Sequence, residues 1–164
     1  MSVESDKLIY RSMTLADIPA ILAIEHEAFT SPWSEEAFTN ELTNNMFARY
    51  LVMEYRGEVL GYGGMWVIMD EAHITNIAIR SDRRGMGLGN RLLEQLQRTA
   101  VFFGAARMTL EVRVSNEKAQ SLYRKYGFQP SGIRPHYYSD NNEDALIMWA
   151  ELDVEGLKSG EGRS

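Results

Sequence analysis

The chain has 164 residues, a formal net charge of −6 at pH 7 and no cysteine. A chain of this length is typical of one domain that buries its core without disulfide bonds. The absence of cysteine excludes a disulfide framework, a thiolate zinc site and acyl transfer through a cysteinyl thioester. The acidic balance argues against nucleic-acid binding as the main task, because phosphate contacts need a basic surface, whereas it suits a basic peptide partner.

Hydropathy argues against a membrane-spanning or secreted protein, and histidine spacing argues against a metal site. No stretch approaches the length of a membrane span, and the N-terminus lacks the basic and apolar regions of a signal peptide. We therefore expect a cytoplasmic protein with no membrane partner. The three histidines match no metal-ligand spacing, so we expect no metal site at His26, His73 and His136.

The hydrophobic periodicity predicts strands and helices in the order βααβββαβαββ. The strands are expected over residues 8–13, 47–55, 59–69, 72–80, 107–114, 128–133 and 145–152. The helices are expected to begin at Thr14 or Asp17, Ser34, Leu88 and Asn116, and to end near residues 29, 45, 104 and 127. This interleaving predicts one mixed α/β domain over residues 1–152, with a mostly antiparallel central sheet, helices on both faces and a flexible tail over 153–164.

A glycine-rich turn follows the strand that ends near Ile79 and opens the third helix, with the sequence Arg84-Gly85-Met86-Gly87-Leu88-Gly89. Such a turn exposes backbone N–H groups at the positive end of a helix dipole, a geometry that holds phosphates. The spacing R-x-x-G-x-G is not the dinucleotide motif, because residue 90 is Asn, and not a P-loop, because no Lys-Ser/Thr follows. In the simpler interpretation the glycines only form a turn, and Arg83 and Arg84 are a solvated basic patch. The number of glycines exceeds what one turn needs, which favours a phosphorylated cofactor.

Three polar residues are candidates for chemistry. Strand periodicity places Thr109, Glu111 and Arg113 on one face, so Glu111 is either an ordinary half-solvated charge or a carboxylate in a cleft, poised as a general base. Tyr123, on the apolar side of the fourth helix, either packs against the core or donates a proton to a leaving group. Asn116 is expected to cap that helix, and its side chain could still reach a cofactor.

Several apolar side chains have a simpler interpretation. Core-edge packing and substrate contact are equally compatible with the aromatic residues in or beside polar loops, which are Phe29, Trp33 and Tyr138. Core filling is expected of the methionines at positions 46, 53, 65 and 69. Close approach of another backbone is expected at the glycines of the third strand, Gly61, Gly63 and Gly64.

The motif Arg84-x-x-Gly87-x-Gly89, after the strand Asn76-Ile77-Ala78-Ile79 and within this element order, resembles the GCN5-related N-acetyltransferases (GNAT). The resemblance covers roughly residues 8–152. Within that superfamily, one branch acetylates the N-terminal alanine of a small-subunit ribosomal protein, protein 18. Segments 29–34, 110–116, 122–128, 134–138 and 143–148 resemble that branch.

The resemblance implies a co-substrate and a set of site residues. The co-substrate is acetyl-CoA, with its pyrophosphate on the backbone amides of Arg84, Gly85, Met86, Gly87, Leu88, Gly89 and Asn90. Its pantetheine arm pairs with Ile77, Ala78 and Ile79, and its thioester lies where the strands at 74–80 and 106–114 splay apart. Glu111 matches the family's general base, Tyr123 its general acid and Asn116 a further CoA contact. The loops that carry Phe29, Trp33 and Tyr138 match regions that contact the peptide.

Amine chemistry bears on the choice of substrate. Only a neutral amine attacks a thioester, and about one tenth of a terminal α-amine is neutral at pH 7, against about 0.04 per cent of a lysine amine. This difference favours a protein N-terminus as the partner without excluding lysine. Two alternatives stay open: acetylation of lysine or a small-molecule amine, and a non-catalytic CoA-binding module. The oligomeric state, a monomer or a weak dimer, stays open too.

Overall fold

The computed structural model describes residues 3–153, so the predicted tail beyond Asp153 lies outside the described residues. The element order is βααβββαβαββ, as predicted. The strands are β1 (Leu8–Ser12), β2 (Ala48–Tyr55), β3 (Glu58–Ile68), β4 (Glu71–Ile79), β5 (Arg107–Arg113), β6 (Gln129–Arg134) and β7 (Ala145–Glu151). The helices are α1 (Ile18–Ala28), α2 (Glu35–Thr43), α3 (Leu88–Phe102) and α4 (Glu117–Lys125). Short 3-10 turns cover Ser5–Lys7, Leu15–Asp17 and Ser81–Arg83.

The strands form a seven-stranded mixed sheet in the order β1-β2-β3-β4-β5-β7-β6. β1 pairs antiparallel with β2, and β7 pairs antiparallel with both β5 and β6, whereas β4 and β5 run parallel. This arrangement confirms the predicted mixed α/β fold. Within residues 3–153, none of the helices has both the length and the apolar character needed to span a bilayer.

The chain divides into two compact units, and the first contains residues up to 65 together with 75–96. Its larger core cluster joins α1 and α2 to the sheet through buried side chains that include Ile21, Ile24, Phe38, Tyr50 and Tyr62. A second cluster packs Leu88 and Leu92 of α3 against Met53 and Leu60. Leu88 begins α3 and is only 3% exposed, so the N-terminal end of this helix is fixed against the sheet.

Both predicted starts of α1 are used. Thr14 and Asp17 form a capping box around the 3-10 turn, and Asp17 then precedes the first residue of α1. The Arg11 guanidinium donates to both carboxylate oxygens of Asp17 at 2.8 Å and holds the pKa of that carboxyl at about 2. A local sequence signal, a cap three residues before an acid, therefore fixes how the chain enters the helix.

Two expectations about packing concern the glycines of β3 and the methionines. A Cβ on Gly61 would lie 2.8 Å from the carbonyl oxygen of Ala78, which confirms the expected close approach of another backbone at this glycine. At Gly63 and Gly64 a Cβ would instead meet side chains, those of Leu96 and Tyr50, so the expectation is wrong for these two. Met53 and Met65 are fully buried, as expected, but Met46 is 77% exposed and Met69, which belongs to the other unit, is 88% exposed. The core-filling prediction is wrong for these last two, because both lie in turns between elements rather than on strands.

The second unit contains residues 66–74 and residues from 97 onward. In it β5 pairs with two strands: Thr109 lies opposite His73 of β4, and Glu111 lies opposite Ile147 of β7. Alternate residues of β5 are buried, so Leu110 and its neighbours on that face enter the core while Glu111 lies on the other face. This alternation confirms the predicted period of two.

Candidate active site

The glycine turn combines two left-handed residues with a buried helix start. Gly85 has φ +82° and Gly87 has φ +77°, a region that side chains with a Cβ rarely adopt. A Cβ on either residue would meet no atom within 4 Å, so the backbone conformation and not crowding requires glycine here. Because the first amides of a helix have no intrahelical acceptor, the turn and the start of α3 present N–H groups to an anion.

Two polar atoms beside this turn are buried without a hydrogen-bond partner among the described residues: Nη1 of Arg83 and Oδ1 of Asn90. Arg83 is only 6% exposed, so its interpretation as part of a solvated basic patch is wrong. Arg84 is exposed, as that interpretation requires, and its Nε donates to the carbonyl of Ile79 at 3.2 Å. A buried cationic donor without an acceptor fits a phosphate group, which would supply the missing oxygen.

The residues before the turn belong to β4 and alternate in burial. Ala78 enters the larger core cluster, whereas Ile77 and Ile79 are partly buried against the cluster that contains Leu88. The amide of Arg80 donates to the carbonyl of Leu60 at 2.7 Å, which continues the contact with β3 past the end of the strand. The end of β4 is therefore held against β3 up to Arg80, and the 3-10 turn Ser81–Arg83 connects it to the glycine turn.

Glu111 lies in a cluster of polar side chains contributed by separate parts of the second unit. Nε2 of His73 is 2.8 Å from Oε1 of Glu111, and the hydroxyl of Tyr137 donates to the same oxygen at 3.3 Å. Nε of Arg134 lies 3.8 Å from the other carboxylate oxygen. The Glu111 side chain is only 8% exposed, so the interpretation as an ordinary half-solvated charge does not hold.

The surroundings of Glu111 set its protonation state. Burial raises the pKa of its carboxyl, but the hydrogen bond and charge of His73, the charge of Arg134 and the hydrogen bond from Tyr137 outweigh burial and lower the pKa below its ordinary value. Glu111 is therefore a carboxylate at neutral pH, able to attract an ammonium group and to accept a proton.

Sequence reasoning found Glu111 but not the three residues around it. His73 is only excluded as a metal ligand, and Arg134 and Tyr137 lie within the segment 134–138 without a role of their own. The signal that brings them together is strand pairing, since β5 lies between β4 and β7 and β6 follows β7 in the sheet. That order cannot be derived from local periodicity.

Tyr138 packs against a cationic side chain. The guanidinium carbon of Arg113 lies 4.0 Å from the centre of the Tyr138 ring, and Arg113 also pairs with Asp140 at 2.9 Å and Glu143 at 3.2 Å. Arg113 thus fixes the segment between β6 and β7, the segment that supplies Tyr137 to Glu111. For Tyr138 these contacts favour the packing interpretation.

Tyr123 and Asn116 lie on α4. Tyr123 is 9% exposed, packs on the Phe128 ring with centroids 5.8 Å apart, and burial raises the pKa of its phenol to about 12. Burial also raises the pKa of the Tyr138 phenol to about 12. Asn116 is the expected N-cap, with its Oδ1 accepting from the amide of Ala119 at 3.1 Å.

The loop between α1 and α2 carries the remaining predicted contacts. Phe29 ends α1 and is 38% exposed, whereas Trp33 is partly buried and its ring lies 5.4 Å from that of Phe38. The backbone amide of Trp33 donates at 2.8 Å to Glu25, a carboxylate that is 1% exposed and also accepts from the Tyr62 hydroxyl. Trp33 is thus anchored to the core of the first unit, and Phe29 is the member of the pair that is open to solvent.

Fold and site define a class of protein. The chain belongs to the Acetyltransferase (GNAT) family, whose model matches residues 18–128. It is 49% identical over 147 residues to a protein of Bacillus subtilis (strain 168), provisionally named a ribosomal protein bS18-alanine N-acetyltransferase, and this match covers 90% of the chain and 97% of that protein.

Solved structures agree with this assignment. The structure is similar, with a TM-score of 0.81 and 35% identity, to the ribosomal-protein-S18-alanine N-acetyltransferase from Escherichia coli, covering 88% of this chain and 94% of that one. It is also similar in fold to a GNAT family acetyltransferase from Elizabethkingia anophelis solved with acetyl-CoA bound, with a TM-score of 0.74, 20% identity, and coverage of 90% and 99%.

Proposed function

We propose that this chain transfers the acetyl group of acetyl-CoA to the N-terminal α-amine of a protein, specifically the N-terminal alanine of the small-subunit ribosomal protein bS18. The observation that carries the proposal is the likeness, over 88% of the chain, to an Escherichia coli enzyme named for that reaction. Because ribosomes are assembled in the cytoplasm, we place the reaction there. The family match spans both compact units, which supports one acetyltransferase domain over residues 1–152.

In the proposed site the glycine turn binds the diphosphate of CoA. The amides of residues 84–90 donate to its oxygens, and the orphaned Nη1 of Arg83 donates one further bond. Ile77, Ala78 and Ile79 would hold the pantetheine arm through their backbone, since they end β4 and only Arg80 and the 3-10 turn Ser81–Arg83 separate them from the glycine turn. Acetyl-CoA supplies an activated acetyl group, and the protein holds that group in position.

Glu111 is the proposed general base. As the amine nitrogen bonds to the acetyl carbon, it loses a proton to the Glu111 carboxylate, directly or through one water molecule. The lowered pKa keeps Glu111 ionised, so the carboxylate also attracts the α-ammonium group before it is deprotonated. An α-amine with an ordinary pKa of about 7.7 to 8.0 gives up its proton more readily than a lysine amine at about 10.4, which supports an N-terminal substrate.

Tyr123 is the proposed general acid. When the carbon–sulfur bond breaks, the leaving thiolate takes the phenolic proton of Tyr123. The pKa of about 12 keeps this phenol protonated at neutral pH, so the donor is present in every molecule. Exchange with water then removes the proton from Glu111 and restores the proton of Tyr123, and no covalent enzyme intermediate is formed.

A panel of acceptors tests the proposal. Transfer from acetyl-CoA should be fastest to a peptide with the N-terminal sequence of bS18 and a free terminal alanine. The matched controls are the same peptide with a blocked N-terminus and internal lysines, and a polyamine. Faster transfer to the blocked lysine peptide or to the polyamine would replace the proposed substrate, and binding of acetyl-CoA without transfer to any acceptor would indicate a non-catalytic module.

A further inference from the structure

His73 lies beside the proposed general base, although the reaction described above gives it no task. Its Nε2 is 2.8 Å from Oε1 of Glu111, and its ring meets the edge of Trp66 with centroids 6.0 Å apart. The two partners differ in their access to water: the His73 side chain is 35% exposed, whereas that of Glu111 is 8% exposed. A proton held by Glu111 therefore has a neighbour through which it can reach solvent.

We propose that His73 is the proton outlet of Glu111, a positioning residue that acts through the carboxylate rather than on the substrate. This inference rests on the proposed function and adds a residue to it. After the amine N–H bond has broken and the proton has reached Glu111, it moves to Nε2 of His73, which leaves an imidazolium beside a carboxylate. Nδ1–H then releases its proton to water, and exchange of the remaining ring proton through water returns the neutral ring to the tautomer whose Nε2 can accept a proton. In each turnover one proton leaves through His73 and one returns from water to Tyr123.

The groups around Glu111 and His73 favour transfer of the proton from Glu111 to His73, because they stabilise the charged form of the Glu111 carboxylate. Other charged or titratable groups near the pair are Arg134 of β6, Tyr137 and Tyr138 before β7 and, on β4 itself, Glu71, which pairs with Arg107 at 2.8 Å. Burial, followed by the nearby charge of Glu111, raises the pKa of Tyr137, and arginine stays protonated throughout. Imidazole is the side chain whose charge ordinarily changes between pH 5 and 8, which makes it suitable for passing a proton to neutral water.

His73→Gln separates a proton-relay role from a packing role. The glutamine amide can still donate to Oε1 of Glu111, but it cannot carry a proton between pH 5 and 8. With the alanine-starting peptide at pH 7, kcat should fall about ten- to a hundredfold, with little change in the KM for acetyl-CoA. The kcat of the wild type should change with pH between pH 5 and 8, and this limb of the profile should be absent in His73→Gln. His26→Gln, at an exposed imidazole on α1, is the matched control and should keep the wild-type profile.

A second variant, His73→Ala, tests the same proton transfer by chemical rescue. In His73→Ala, free imidazole added to the assay should restore part of the lost kcat, whereas it should not change the wild type. A kcat and pH profile of His73→Gln equal to those of the wild type would overturn the inference and leave the proposed function standing. So would a loss of activity with an unchanged pH limb and no rescue, which indicates packing alone. A wild-type protein that acetylates no amine would remove the proposed function and this inference with it.

Discussion

The glycine turn of the first unit and the Glu111 cluster of the second unit are built in different ways. The turn is one continuous stretch, residues 83–90, and its geometry depends on backbone angles at Gly85 and Gly87. The cluster consists of side chains that are far apart in sequence, since His73 and Glu111 are separated by 38 positions and Glu111 and Tyr137 by 26. The glycine turn depends on which of its residues lack a Cβ, whereas the Glu111 cluster depends on the functional group of each side chain. Mutations in the two parts should therefore fail in different ways.

The largest expected effect is at Glu111. Glu111→Gln removes the proton acceptor but keeps an oxygen to accept from Tyr137, so kcat should fall about 10²- to 10⁴-fold with little change in the KM for acetyl-CoA. Because the neutral fraction of an α-amine rises with pH up to about pH 8, the variant should recover part of its rate between pH 6 and 8. Steady-state kinetics over this range measures both quantities. Wild-type turnover in the variant would remove Glu111 from its role.

A fall in pH through the neutral range should not change the wild-type rate by protonating Glu111. The pKa of this carboxyl lies below its ordinary value, so it stays ionised as the pH falls through the neutral range. The stability that its charged contacts contribute is likewise present at neutral pH and is lost only when the pH falls through that lowered pKa.

Tyr123→Phe should have the next largest effect. The phenyl ring keeps the contact with Phe128 but has no proton for the leaving thiolate, so kcat should fall about ten- to a hundredfold while the fold persists. Since the pKa of the Tyr123 phenol is about 12, raising the pH of the wild-type assay from 7 to 9 should not reproduce the loss. An unchanged kcat in the variant would return Tyr123 to a packing role.

The glycine turn offers a matched pair of variants within the first unit. Gly87→Ala and Gly57→Ala both place a Cβ at positive φ, +77° and +82°, with no atom within 4 Å, so each should lose a similar stability of about 1–2 kcal/mol. Only Gly87→Ala puts a methyl group beside the amides proposed to bind the diphosphate, so it alone should weaken CoA binding, by about tenfold or more. Urea denaturation and calorimetry measure the two effects. Equal loss of CoA affinity in both variants would contradict the proposed turn site.

Asn116 should show the smallest effects. Asn116→Ala removes the cap of α4 and should cost about 1 kcal/mol, whereas Asn116→Ser retains an acceptor for the Ala119 amide. If the side chain also contacts CoA, both variants should raise the KM for acetyl-CoA about two- to threefold. Wild-type KM in Asn116→Ser would leave Asn116 as a cap only.

Local signals in the sequence were sufficient for most of the fold. Ser34 and Asn116 stand where helices are predicted to begin, and the side chain of each accepts from a backbone amide as an N-cap. The limits of the strands differ from the predictions by at most one residue, since turn residues such as Gly57 mark them locally. Met46 and Met69 show the opposite case, because hydrophobicity alone does not tell a turn from a strand.

The site could be predicted only where it is local. The turn was predicted completely, because its glycines and the helix that follows are contiguous. The burial of Arg83 and the approach of His73, Arg134 and Tyr137 to Glu111 could not be predicted, because they depend on which strands are neighbours in the sheet. That information is a property of the whole chain and not of any segment.

Intact ribosomal protein bS18 gives the most direct test of the central claim, that a CoA-bound acetyl group is delivered to a terminal amine. The purified enzyme is incubated with bS18 and acetyl-CoA labelled with carbon-13 in the acetyl group, and the label is then located by tandem mass spectrometry. The account predicts one labelled acetyl group on the α-nitrogen of the N-terminal alanine, and its loss with Glu111→Gln. Label found only on lysine side chains, or on no amine at all, would contradict it.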